Sequence, residues 1–154
     1  MRAACFLALM LGCASSTTPT CPSTPPEGGR VEGLTPWGEL NLPYNGERGC
    51  ATELPDGSWR ITVQKFWRPA APEAPEEVQT TFEVTLRPDG TASLAARSSP
   101  EFALEADGEW TASGEGALLC ESPDDTVRIR AEALFETELG ELSLEADVGS
   151  CSGG

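Results

Sequence analysis

The chain has no histidine and, among its 154 residues, one lysine and one tyrosine. Losing histidine removes the commonest general base, the commonest neutral metal ligand and the Ser-His and Cys-His nucleophile pairs at once. Schiff-base chemistry is left with Lys65 as its one candidate. Positive charge is scarce altogether, with 10 Lys and Arg against 25 Asp and Glu and a formal net charge of −15. Such a field repels phosphates, so no nucleic-acid partner is expected, whereas a cationic partner would be steered in. Long apolar runs are also missing. The longest, AACFLALMLG, would rise about 15 Å as a helix, half of the roughly 30 Å hydrocarbon core of a bilayer. That is too short to span, and it is the length of the apolar part of a cleaved signal peptide, with Arg2 as a short positive flank.

What is abundant is turn chemistry, with 16 glycines and 13 prolines. From Trp37 onward the apolar period is two. In VQTTFEVTL, Val78, Thr80, Phe82, Val84 and Leu86 share one face and Gln79, Thr81, Glu83 and Thr85 the other. TVRIRAEALF repeats the alternation, with Val127, Ile129, Ala131, Ala133 and Phe135 opposite Arg128, Arg130 and Glu132. GSWRITV, EFALEA and ELSLEA are shorter copies. Between these runs, YNGE and ADGE place Asn-Gly and Asp-Gly as two-residue hairpin turns, and LPDGS and RPDGT combine a fixed proline φ with a positive-φ glycine. The reading is an all-β fold, a small antiparallel meander of eight or nine strands. A closed barrel is preferred over a sandwich, because closure removes free edges. One β domain is expected over 36–154.

Six cysteines divide by context. LMLGC resembles the lipobox of bacterial lipoproteins, in which a small residue precedes a cysteine that is diacylated on sulfur and then becomes the first residue. The resemblance makes 1–12 a signal peptide, Gly12 the residue before the cut and Cys13 the lipidated one. Leu11 departs from the pattern, which usually has a small residue there. Ala14, not Asp, follows the lipidated position, which within the family implies sorting to the outer membrane. The protein is thus expected on the bacterial cell envelope, held to a membrane by several acyl chains, since each buried methylene adds only about 0.8 kcal/mol. The rest of 13–35 is rich in Ser, Thr, Pro and Gly without apolar period and is expected to be a disordered tether. Cys21, Cys50, Cys120 and Cys151 remain, an even number that in an exported chain implies two disulfides. In a simple meander Cys120 and Cys151 fall at the same end, so the expected pairs are Cys120–Cys151 and Cys21–Cys50.

The stretch TFEVTLRPDGTASL, with EWTASGEGALLC after it, resembles lipocalin-like small barrels, but no ligand residues carry over from that likeness. An aromatic cluster in the first third suggests a ligand mouth at Trp59, Phe66 and Trp67, next to a proline-stepped loop at 68–77. Filling of a small core is the competing role for these rings. ESPDDT brings together Glu121, Asp124 and Asp125, either a cation-binding turn or a plain polar one. No metal ligand set, no cofactor and no catalytic set stands out, so no enzyme is expected. The functional expectation is a lipid-anchored binding domain for an apolar ligand or a cationic protein. A structural or assembly lipoprotein is the alternative, and a carboxylate-based hydrolase a more distant one.

Overall fold

A computed structural model describes residues 18–44, 49–70, 75–99, 108–122 and 128–151. Gly12, Cys13, Asp124 and Asp125 lie outside them, as does the EFALEA run. Nine strands follow in order: β1 (Gly28–Thr35), β2 (Gly38–Tyr44), β3 (Gly49–Glu53), β4 (Trp59–Trp67), β5 (Val78–Leu86), β6 (Thr91–Ser99), β7 (Glu109–Glu121), β8 (Arg128–Thr137) and β9 (Gly140–Ser150). No helix occurs among the described residues. Strands β3 to β9 close into a seven-strand barrel, the expected architecture, with β1 and β2 added outside the ring on β9.

Six of the seven contacts in the ring are antiparallel neighbours in sequence or β8 on β9, as hairpin turns dictate. The seam differs. β3 runs parallel to β9 and meets it only through Cys50 opposite Gly149 and Ala51 opposite Ser150. Farther back along β9, from Leu142 to Asp147, the same edge pairs with β1 instead. The β1–β2 hairpin turns its inner residues Val31, Trp37 and Leu40 into the common core. Gly38 of that hairpin approaches the ring of Trp67, which a Cβ there would meet at 3.3 Å.

The strands were legible because the inward positions alternate as the sequence alternates. β5 buries Val78, Thr80, Phe82, Val84 and Leu86, and β8 buries Ile129, Ala131, Ala133 and Phe135. Burying one such large apolar side chain is worth about 1.5–3 kcal/mol. Phe135 fits because the residues facing it and its neighbour Ala133 across β7 are Gly114 and Gly116. A Cβ on Gly114 would lie 2.0 Å from the Leu134 carbonyl oxygen and 2.8 Å from Phe135 Cδ1. Gly114→Ala is therefore expected to lower unfolding stability by about 1–3 kcal/mol, the usual cost of overpacking, read from the urea midpoint. An unchanged midpoint would show that β7 can move away from β8.

The two proline-led turns form as expected. Gly57 and Gly90 have φ of 87° and 91°. Ser58 N–H donates to Asp56 Oδ1 at 2.9 Å and Thr91 N–H to Asp89 Oδ1 at 2.9 Å. Hydrogen bonds from Ser58 hold the Asp56 carboxyl below its ordinary range, and those from Thr91 do the same for Asp89.

Three expectations are corrected. YNGE was expected as a hairpin turn, yet β2 and β3 on either side of it do not pair. Both run in the direction of β9, and residues 45–48 between them lie outside the described set. The disordered tether was expected to reach residue 35, but Gly28–Thr35 is β1 and residues 18–27 lie along the barrel wall. Composition missed this because the groups that fix the segment sit on distant strands. Finally, the disulfides are Cys21–Cys120 and Cys50–Cys151, not Cys120–Cys151 and Cys21–Cys50. The expected pairing assumed that β9 follows β7 by a plain meander and that Cys21 belongs to a free segment. Instead Thr20 bridges Glu121 at the end of β7, and β3 closes against β9, which brings each cysteine to a different partner.

Candidate functional site

A ligand mouth would need Trp59, Phe66 and Trp67 at one opening. The three occupy opposite ends of β4, about 25 Å apart along the strand. Trp59 is buried at the end where β4 begins, and Phe66 is 43% exposed at the other. Trp67 is half-buried and donates from Nε1 to Thr80 Oγ1 at 2.8 Å, and Thr80 and Ser98 share a hydrogen bond of 3.2 Å. This polar chain and the edge-to-face pair of Trp37 and Trp110, 6.1 Å between centroids, cap that end of the core. The mouth expectation is therefore not met as a single site: Trp59 belongs to the core and Trp67 packs against it, whereas Phe66 is exposed. The loop beside them is braced at its base, where Arg68 Nε donates to the Glu76 carbonyl at 3.0 Å; its residues 71–74 lie outside the described set.

The barrel interior is solid. Phe82, Phe135, Ile61, Leu94, Ile129, Leu142, Leu144 and the valines beside them are all fully buried and packed in one cluster. Hollows lie on the wall, as beside Glu27, Arg130 and Asp147, and at the turns, as beside Gly57 and Pro88. No group of three or more His, Cys, Asp or Glu positioned to hold a metal ion occurs among the described residues.

The perturbed charges are elsewhere. On the outer wall of β8 and β9, Arg128 and Asp147 form a bidentate ion pair, Nε to Oδ1 and a terminal nitrogen to Oδ2, both at 2.9 Å. Their side chains are only 6% and 5% exposed. Outward positions are ordinarily wet, and these two are covered by the segment from Cys21 to Gly28. Arg128 also donates to the carbonyls of Pro22, at 2.5 Å, and Thr24, while Glu27 N–H donates to Asp147 Oδ2 at 3.1 Å. Arg130 bridges Asp147, at 3.1 Å, to Glu27, at 2.8 Å. Burial pushes the Asp147 carboxyl up, but hydrogen bonds from Arg128, the Glu27 N–H and Arg130 together outweigh it and leave it below its ordinary range. A buried, shifted pair of this kind often marks a functional site. Here the partners are the chain's own strap and Arg130 of β8, so the pair is a clamp. Sequence reading placed Arg128 on the wet face and passed over Asp147. The signal was an acid and a base at outward positions of neighbouring strands, meaningless without the strap above them.

The outer wall also carries an unbalanced stretch. Glu132 stands directly opposite Glu145, and Glu136 opposite Glu141, across the β8–β9 ladder. Between the two rows Leu134 is 44% exposed, with Glu115 opposite it on β7. Like charges directly opposed across a ladder cost about 0.2–1 kcal/mol. On its other side Glu145 faces Arg30 of β1, and other wall charges pair, as in Arg97–Glu109 at 3.0 Å and Arg60–Glu83 at 3.9 Å. Glu121 half-covers the end of β7, where its backbone is occupied by Pro19 and Cys21. Comparison with protein-family models, with curated proteins and with solved structures finds no match for this chain.

Proposed function

We propose that the protein is a lipid-anchored envelope protein whose barrel does no chemistry and binds a cationic protein through its outer wall. The observation that carries this reading is the wall itself. The interior is filled with side chains, and Glu132, Glu136, Glu141 and Glu145 surround an exposed leucine; of the four only Glu145 has a basic residue, Arg30, directly across a strand. An arrangement that costs stability and serves no packing purpose is the pattern expected of a functional surface. The leader residues up to Cys13 and the two disulfides support export to an oxidising compartment. A structural or assembly role is the second reading, favoured by the same solid interior.

The test separates wall from net charge. Glu132→Lys turns a like-charge pair into an opposite-charge pair, so it is expected to raise stability by about 0.2–1 kcal/mol. The same change is expected to weaken binding of a Lys- and Leu-rich amphipathic peptide about tenfold at low salt. Glu76→Lys, on the loop at the barrel's end, makes the same change in net charge and is expected to weaken it far less. Equal weakening by both substitutions would leave bulk charge as the whole effect and overturn the reading. Intact mass tests the anchor: a chain starting at Cys13 with a diacylglyceryl addition is expected, and an unmodified amino terminus would refute it.

A further inference from the structure

The barrel is polar in its attachments. Strands β1, β4, β6 and β8 begin, and β3, β5, β7 and β9 finish, at one end. That end holds both disulfides, the strap and the two proline-led turns at 54–58 and 87–91. The other end holds Phe66 and Trp67, the 68–77 connection and the turn from Thr137 to Gly140. We infer that a bilayer surface faces only the first end, because the strap stapled at Cys21 shortens the link from the lipidated residue until the Phe66–Trp67 end cannot reach the membrane. The inference rests on the lipid-anchor reading.

Chain geometry carries it. Cys21 is eight residues beyond Cys13. Eight residues reach at most about 28 Å when fully extended, and about 16 Å on root-mean-square average. Beyond Cys21 the chain adds no reach, since the Cys120 bridge, the Thr20–Glu121 pairing and the Arg128–Asp147 clamp hold it flat on the wall. β7 is 13 residues long. At about 3.3 Å per residue and a tilt near 40°, it gives the barrel a height of about 33 Å. Turning the barrel over would need the link to exceed that height, and it does not. Lying on its side is opposed on an anionic bilayer by the glutamates of the β8–β9 wall. A tether free to residue 35 would have reached about 75 Å and permitted any orientation.

The experiment uses the full lipidated chain in mixed phosphatidylcholine and phosphatidylglycerol vesicles, an anionic bilayer, that also carry a gadolinium-chelate lipid. Paramagnetic broadening is read by NMR at the amides of 54–58 and 87–91 and at those of Thr137 to Gly140. Broadening severalfold stronger at the first two segments is expected. Equal or reversed broadening would overturn the inference. Inserting about twenty Gly and Ser residues after Thr17 lengthens the link without touching the fold. This insertion is expected to flatten the gradient; an unchanged gradient would overturn the role given to the strap. Flotation of the same vesicles reads the anchor separately. Failure to float refutes the anchor, whereas flotation with a flat gradient refutes only the orientation.

Discussion

Arg128→Ala is expected to cost about 3–5 kcal/mol, measured as the loss in unfolding free energy by urea titration at pH 7. The cost arises chiefly from what the missing side chain leaves behind. Asp147 would stay buried without its bidentate partner, left to Arg130 and the Glu27 N–H, and the Pro22 and Thr24 carbonyls would lose their donor. The strap would then be held chiefly by the Cys21–Cys120 bridge, and its amides are expected to lose protection from hydrogen exchange. The double substitution Arg128→Met with Asp147→Leu removes both charges together and is expected to recover part of the loss, because no buried carboxylate then lacks its bidentate partner. A single-variant loss below about 1 kcal/mol would show that water replaces the clamp freely.

The same pair sets a pH dependence whose sign is fixed. The Asp147 carboxyl titrates lower in the folded protein than in the unfolded chain. Its contribution is thus complete above the unfolded value of about 3.9 and is lost as pH falls through the depressed folded value. The stability gap between the native chain and the Arg128→Met, Asp147→Leu variant is accordingly expected to move toward the variant in acid.

Removing the Cys50–Cys151 bridge, as Cys50→Ala with Cys151→Ala, is expected to cost about 3–5 kcal/mol. The bridge encloses a sequence separation of 101 residues. Chain-entropy arithmetic gives about 4.7 kcal/mol for a loop of that order. Its location adds a specific consequence. The β3–β9 seam has two paired positions, extended by Cys151 N–H to the Ala51 carbonyl at 3.1 Å, and the bridge sits directly on it. Without the bridge the ring is expected to open at the seam, so amides of residues 149–151 should exchange faster than those of β5 and β6. Full seam protection together with an unmoved denaturation midpoint would show that the two paired positions suffice to close the barrel.

How much of this was legible depends on whether the determining contacts are local. The alternation of β5 and β8 and the Asp-Gly turns at 56–57 and 89–90 are read from neighbours in sequence, and they form as expected. YNGE carries an equally good local signal but connects strands that run the same way, because β9 arrives from the far end of the chain to pair with both β1 and β3. Period two also ranks Arg128 and Asp147 as wet, correctly by parity and wrongly by burial, since a covering segment leaves no trace in strand periodicity. The cysteine pairing failed for a similar reason. Four cysteines allow three pairings, and the seam that chooses among them is invisible until the parallel contact is known. Trp59, Phe66 and Trp67 were grouped by nearness in sequence, yet a nine-residue strand carries them to opposite ends.

One property of β9 governs how the protein can assemble. It is the last strand made, and it borders β8, β1 and β3, so three earlier stretches wait for it. The β1–β2 hairpin is made before its neighbour on β9, and neither the ring nor the Cys50–Cys151 bridge can form until residue 151 has been added. Contacts of such long sequence separation make for slow folding. A premature stop anywhere before Gly140 would deprive three strands of their shared neighbour, so closure of the ring waits on the last of the nine described strands.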